Sequence, residues 1–164
     1  MTRPRHGKAA LIKRIVASLS ESVALLDKAA RASHAEATHE SSKAESKYDT
    51  RGLEASYLAR GQSKQAAEIE AAIAEFEKLP AKKFGADEPI GLGALVELEH
   101  GGENLFYFIG PRAGGTEILH EKKEILVITP QSPLGEQLMG KKSGDRLQLK
   151  LGGEIRAAEI ISVE

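Results

Sequence analysis

Residues 128–145 read Ile-Thr-Pro-Gln-Ser-Pro-Leu-Gly-Glu-Gln-Leu-Met-Gly-Lys-Lys-Ser-Gly-Asp and form the most specific stretch of the chain. Ser132 suits the start of a short helix because a serine hydroxyl can cap free backbone amides, and Pro133 suits the first helical position. Gly140 suits the helix end, since glycine readily takes the left-handed conformation found there. Leu134 and Leu138 then share one face. This stretch predicts one short helix within a small β domain.

The sequence around this stretch alternates with a period of two, which is typical of β-strands. Leucines at 147, 149 and 151 alternate with polar residues, and the Gly152-Gly153 pair suits a two-residue hairpin turn. A partner strand is predicted over residues 154–163. Further strands are predicted over residues 94–99, 104–109 and 124–129, with glycine-containing loops between them. These strands predict a small, mainly antiparallel sheet over residues 94–164.

The N-terminal half instead shows the period of amphipathic helices, with one apolar stripe over residues 8–32 and a second over residues 53–79. The first stripe consists of Leu11, Ile12, Ile15, Val16, Leu19, Val23, Leu26 and Ala30. The second consists of Leu53, Tyr57, Leu58, Ala66, Ile69, Ile73, Phe76 and Leu79. Because two narrow stripes can cover each other, we predict an antiparallel helical hairpin over residues 1–80, with arms of about 25 residues and about 38 Å.

The hairpin is predicted to end in an exposed tip near residues 33–52, where Tyr48 is the only large apolar residue. A disordered loop is the alternative for this segment, given its serine, threonine and histidine content. Pro80 closes the second helix, and residues 81–93 are predicted to be a linker. The predicted fold class is therefore α+β, with a helical hairpin of the coiled-coil type followed by a small antiparallel β domain with one short helix.

Composition narrows the range of functions. The 23 basic and 24 acidic residues leave a formal charge of -1, which disfavours direct binding to nucleic acid phosphates. The absence of cysteine excludes disulfides, thiol catalysis and cysteine-ligated metals. No stretch approaches the roughly 20 apolar residues that span a bilayer, so no membrane association is expected. We predict a cytoplasmic protein.

The C-terminal half resembles the C-terminal lobe of bacterial Gre-type transcript-cleavage factors. The matching elements, in order, are Ser132-Pro133-Leu134-Gly135, Leu138, Gly140-Lys141-Lys142, Gly144-Asp145, Gly152-Gly153-Glu154 and Ile160-Ile161-Ser162-Val163-Glu164. The resemblance implies an FKBP-like lobe after a helical hairpin that enters the secondary channel of RNA polymerase. It implies bacterial RNA polymerase as partner, with nucleic acid met only through the elongation complex, and a monomeric accessory factor rather than an enzyme. The residues that match the family's polymerase-binding loop are Gln131, Ser132, Pro133 and Leu134.

The resemblance also directs attention to the hairpin tip, where the family carries acidic residues that help to hold a second Mg²⁺ in the polymerase active site. Magnesium takes hard oxygen ligands such as carboxylates. When the family's tip is matched at Ala44-Glu45, His39 and Ser42 stand in place of the two acids, and Lys43 replaces an asparagine. Transcript cleavage is therefore expected to be weak or absent.

Other carboxylates lie near the tip and are candidates for the catalytic acids: Glu36, Glu40, Glu45 and Asp49. The pairs Glu36/Glu40 and Glu45/Asp49 each share a helix face at a spacing of four residues. A charge on a solvated helix surface is the alternative role for each of them. We expect no cofactor and no metal site in the isolated protein, with the Mg²⁺ of the polymerase active site used only where cleavage is supported.

Two other functions remain open. An FKBP-like peptidyl-prolyl isomerase needs an apolar pocket lined by aromatic residues, whereas Phe106, Tyr107 and Phe108 are adjacent and should point alternately to opposite faces of a strand. A non-catalytic coiled-coil interaction protein is the other alternative. A proline-isomerisation assay would detect the isomerase. A mass in solution that depends on concentration would detect the coiled-coil protein.

Overall fold

The computed structural model describes residues 7–38, 51–151 and 153–164. The helices are α1 (Lys8–Thr38), α2 (Arg51–Lys78) and α3 (Pro133–Leu138). The strands are β1 (Leu95–His100), β2 (Glu103–Ile109), β3 (Glu117–His120), β4 (Lys123–Ile128), β5 (Arg146–Leu151) and β6 (Glu154–Val163). This order of elements confirms the predicted α+β class. No helix among the described residues is long and apolar enough to cross a membrane.

The chain forms two compact units. The helical unit is Ala17–Ala74, and the β unit combines Glu75–Glu164 with the chain up to Val16. The first two turns of α1 and the last turn of α2 are therefore part of the β unit.

In the helical unit, the α1 stripe is buried as predicted. Leu19, Val23 and Ala30 are buried along one face. The Ser33 hydroxyl, which is also buried, donates a hydrogen bond to the Gln62 side-chain oxygen at 3.2 Å and so joins α1 to α2. This contact links the end of the first helix to the second helix, as a hairpin requires.

The predicted α2 stripe is wrong at its N-terminal end. Leu53, Tyr57 and Leu58 are 56%, 62% and 56% exposed, respectively. The buried positions there are Ala55, Ala59 and Ala66. Together with Gln62 they are spaced by four, three and four residues, which is the spacing of a coiled-coil seam. In a two-helix hairpin each helix buries only one such seam. The larger apolar side chains beside the α2 seam therefore face outwards.

The sheet has the strand order β3-β4-β2-β1-β6-β5. Four of the neighbouring pairs are antiparallel, as predicted, whereas β2 and β4 run parallel, with Phe106 opposite Ile125. Parallel neighbours need a crossover connection rather than a tight turn. Here the connection contains β3, which the sequence did not predict.

Strand β3 was not predicted because the strand is short and its turn to β4 has an unusual sequence. It has only 4 residues and pairs with β4 across a two-residue turn at Glu121 and Lys122. Both turn residues have positive φ, 50° and 64°. Turns of this kind usually carry asparagine or glycine, so Glu-Lys gives no hairpin signal.

Both faces of the sheet carry buried residues. On one face Tyr107 and Leu138 belong to a cluster of buried residues from β1, β2, β5, β6 and α3. Phe108, the neighbour of Tyr107, stacks with Phe76 of α2 at a centroid distance of 6.3 Å. Gly110 makes room for this ring, since a Cβ there would lie 2.8 Å from Phe76 Cζ. The last turn of α2 is thus packed into the β unit by a fully buried aromatic side chain.

Candidate functional site

The segment from Thr129 to Leu138 is held by the side chain of Ser132. The Ser132 hydroxyl donates to the main-chain oxygen of Thr129 at 2.7 Å and accepts from the Gly135 amide at 3.0 Å. Ser132 is therefore the N-cap of α3, and Pro133 occupies the first turn, as the sequence predicted. Each of these bonds fixes the loop that precedes the helix.

Gly135 allows α3 to approach the preceding strand end. An added Cβ would lie 1.8 Å from the main-chain oxygen of Thr129 and 2.8 Å from the Ser132 hydroxyl. No side chain fits this space without movement of the backbone. The Ser-Pro-Leu-Gly run is therefore a single structural unit in which the glycine permits the cap.

The four predicted polymerase-binding residues are consecutive in the structure but differ in how exposed they are. Gln131 and Pro133 are exposed, and Ser132 is partly buried. Leu134 is packed against the core cluster. Gln131 and Pro133 are thus available to a partner, whereas Leu134 and Ser132 position them.

The turn after α3 is fixed by Asp145. Its carboxylate accepts a hydrogen bond from the Lys142 amide at 2.8 Å, and the Asp145 amide donates to the main-chain oxygen of Lys142 at 3.0 Å. Gly140 and Gly144 have φ values of 82° and 90°, which other residues rarely adopt. The Gly-Lys-Lys-Ser-Gly-Asp sequence thereby closes a rigid turn, with the Lys142 side chain exposed.

A surface beside this turn was not predicted. Ile90 exchanges main-chain hydrogen bonds with the 140–141 segment, from the Gly140 amide at 2.9 Å and to the Lys141 oxygen at 2.7 Å. These bonds hold Ile90 of the predicted linker against the end of α3. Leu92 of that linker and Met139 after α3 are 44% and 36% exposed. Only the tertiary pairing identifies these residues, because the linker sequence has no periodic pattern.

The predicted tip falls mostly outside the described residues. Glu40, Glu45 and Asp49 lie there, as do His39 and Ser42. Glu36 lies near the end of α1 with its side chain exposed. The role of all four acids remains a prediction. Within residues 7–38, 51–151 and 153–164 no group of three or more His, Asp or Glu side chains is placed to hold a metal ion.

The family comparison concerns the part of the chain that contains residues 129–138, which we call the capped loop. Residues 86–164 match the family described as "Transcription elongation factor, GreA/GreB, C-term". The chain carries a Gre-type C-terminal domain. The resemblance inferred from the Ser-Pro and Gly-Lys-Lys elements is thereby confirmed for residues 86–164.

Solved structures with weaker likeness include two Thermus proteins. Gfh1 from Thermus aquaticus is 27% identical, with 92% of each chain covered and a TM-score of 0.40. GreA factor homolog 1 from Thermus thermophilus is also 27% identical, with 98% of this chain and 96% of that chain covered and a TM-score of 0.39. A GreA/GreB factor from Nitrosomonas europaea is 17% identical over 58% of this chain and 78% of its own, with a TM-score of 0.34. These TM-scores are too low to support a functional inference. No curated protein matches the chain in sequence.

The aromatic run of the Gre-type domain is divided between the two faces of the sheet. Tyr107 lies in the core cluster, and burial raises the pKa of its hydroxyl. Phe108 contacts Phe76 instead. Phe106 and Tyr107 both line a pocket beside β2 and β3, and Phe108 is not part of its lining, so the three aromatic residues do not line one pocket together.

Proposed function

We propose that this Gre-type factor binds bacterial RNA polymerase and regulates elongation or pausing, with its helical hairpin in the secondary channel and its C-terminal domain on the channel rim. The observation that carries the proposal is the capped loop of the Gre-type domain, in which Gln131 and Pro133 are exposed. The pair is presented by a rigid support, because Ser132 and Asp145 fix the chain on either side of α3. Loops held in this way bind a partner with little loss of conformational entropy.

The protein is proposed to act as an accessory factor without a cofactor of its own. Any metal-dependent step would use the Mg²⁺ of the polymerase active site. Contact with nucleic acid would occur only within the elongation complex, which agrees with a formal charge of -1. A monomer in the cytoplasm is the form we propose to be active.

Competition tests insertion into the channel. Labelled protein bound to core polymerase should be displaced by an established secondary-channel factor, and binding should fall as that factor is added. If a saturating amount of the channel factor leaves the labelled protein bound, then the insertion proposal is wrong.

The rim contact is tested by Pro133→Glu, which adds a charge at an exposed position without removing the Ser132 cap. We expect weaker polymerase binding with unchanged helical content. Ile155→Glu is the matched control, because Ile155 is 61% exposed in the β5–β6 hairpin of the same domain. If Pro133→Glu unfolds the domain, only the helix-start role of Pro133 is supported; if it binds like wild type, the rim contact is refuted.

A non-catalytic coiled-coil interaction protein is the second candidate. It is favoured by the exposed apolar side chains of Leu53, Tyr57 and Leu58 on α2 and Leu25 on α1. Self-association through them would appear as a mass that rises with concentration in sedimentation experiments. A constant monomer mass would exclude that form of the proposal.

A further inference from the structure

The β unit contains a cavity of about 360 Å³ beside the start of α1. Its lining residues come from five parts of this unit: the start of α1, the 81–93 segment, β1, the β3–β4 hairpin and Glu164. Cavities of about 300 Å³ or more are large enough to bind small organic molecules. Among the described residues, none from 129–138 lines it.

The charges around the cavity favour an anion. Three lysines line it, Lys8, Lys83 and Lys123, against the two carboxylates of Glu121 and Glu164. The cavity also lies at the N-terminus of the 31-residue helix α1, whose first turn carries no acidic residue. A helix N-terminus carries roughly half a positive charge, which adds to the basic excess.

Lys8 is held in place at the edge of the cavity. Its ammonium group donates to the main-chain oxygen of Lys82 at 2.5 Å and to the main-chain oxygen of Glu164. It also lies 4.6 Å from the centroid of the Phe84 ring. Burial lowers the pKa of Lys8 to about 8, and the neighbouring Lys82 adds to this, while Glu164 opposes it. An anion in the cavity would add to the countercharge that Glu164 and Glu88 already give this ammonium group.

His120 also belongs to the lining of the cavity. Its Nε2 atom is buried and has no hydrogen-bond partner among the residues that the structure describes. Buried polar side-chain atoms in proteins nearly always have a partner, either protein, water or ligand. The imidazole lines the same cavity as the three lysines, so a ligand there would contact the ring.

The remaining lining is apolar, from Leu11, Leu95 and Ile125. We propose that this cavity binds a small organic anion, with its phosphate or carboxylate head among Lys8, Lys83, Lys123 and His120 and its apolar body against these three side chains. Such a site is distinct from the polymerase-binding loop. It would allow a small metabolite to stabilise the β unit, since a ligand that binds only the folded state raises its stability.

Phenyl phosphate is a suitable probe because it combines a charged head with an apolar body. Binding to the full chain can be followed by calorimetry and by the NMR signals of the His120 ring. Benzoate tests a carboxylate head with a similar body, whereas phenol keeps the body and lacks the charge. We expect phenyl phosphate or benzoate to bind more tightly than phenol, to shift the His120 signals and to raise the pKa of Lys8.

Charge removal at two exposed lysines tests the location of the site without disturbing Lys8. Lys83→Gln and Lys123→Gln should each weaken binding by about two- to fivefold, and the double variant by about tenfold, as expected for partly solvated ion pairs. Lys150→Gln is the matched control, because Lys150 is an exposed lysine on β5 outside the cavity. The proposal is overturned if neither anion binds more tightly than phenol, or if the Lys83 and Lys123 variants bind like Lys150→Gln.

Discussion

The main-chain oxygen of Thr129 occupies the space where a side chain of Gly135 would begin, with a Cβ position only 1.8 Å away. The Ser132 hydroxyl bridges the same two residues, since it donates to the Thr129 oxygen and accepts from the Gly135 amide. The loop that carries Gln131 and Pro133 is therefore defined by a cap and by a residue that cannot have a side chain.

Gly135→Ala is expected to lower the free energy of unfolding by about 3 kcal/mol, because overpacking against the backbone forces α3 or the strand end to move. Denaturant unfolding of the purified variant measures this loss. Gly61→Ala is the control, because no atom lies within 4 Å of an added Cβ at this helical position. It should stabilise α2 by about 0.5–1 kcal/mol. Equal stability of the two variants would contradict the steric argument.

Phe76→Ala is expected to destabilise the β unit by about 3–5 kcal/mol, since it removes a fully buried ring that stacks on Phe108 and leaves a cavity. Thermal or denaturant unfolding gives the value. Tyr57→Ala removes an aromatic ring that is 62% exposed on the same helix, and should change stability by less than about 0.5 kcal/mol. A small effect of Phe76→Ala would show that the last turn of α2 does not stabilise the β unit.

The stability contributed by Lys8 is expected to depend on pH above neutrality. Its pKa is lowered from 10.5 to about 8 in the folded state. Between these two values the unfolded chain binds a proton that the folded chain has lost, so stability rises with pH in this window. Below about pH 8 both states are protonated and the dependence disappears.

The measurement is the difference in unfolding free energy between wild type and Lys8→Met at several pH values. This difference cancels the titration of the other lysines and tyrosines. It should shift in favour of wild type from pH 8 to pH 10. A difference that is constant over this range would mean that Lys8 has an ordinary pKa.

Transcript cleavage is expected to be weak or absent in a defined backtracked elongation complex with Mg²⁺. When the family's tip is matched at Ala44-Glu45, His39 and Ser42 stand at the expected acids, and neither would offer the charge of a carboxylate to a hard divalent cation. The double variant His39→Asp with Ser42→Glu should shorten the RNA more than wild type does. Strong cleavage by wild type that is lost with Glu45→Gln or Asp49→Asn would instead identify those residues as the catalytic acids.

Much of the architecture followed from local patterns. Strands β1, β2, β4, β5 and β6 lie within a residue or so of their predicted bounds, and Ser132 and Pro133 start α3 as expected. These features depend on neighbours in sequence, such as a hydroxyl three residues from an amide. The seam of α2 was mispredicted at its N-terminal end because large apolar residues were weighted above the alanines at 55 and 59. The face of a helix that is buried depends on the surface that packs against it. For α2 that surface belongs to residues that are distant in sequence.

The amino-acid sequence by itself determined the helices, most strands, the capped loop and the family to which the C-terminal domain belongs, because periodicity, turn chemistry and spacing are local properties. The tertiary structure alone decided the parallel pairing of β2 with β4, the burial of Phe76 against Phe108 and the position of Lys8 beside Glu164. Lys8 and Glu164 lie 156 residues apart in the chain. Their approach depends on the simultaneous packing of several elements against one core, which no local pattern encodes.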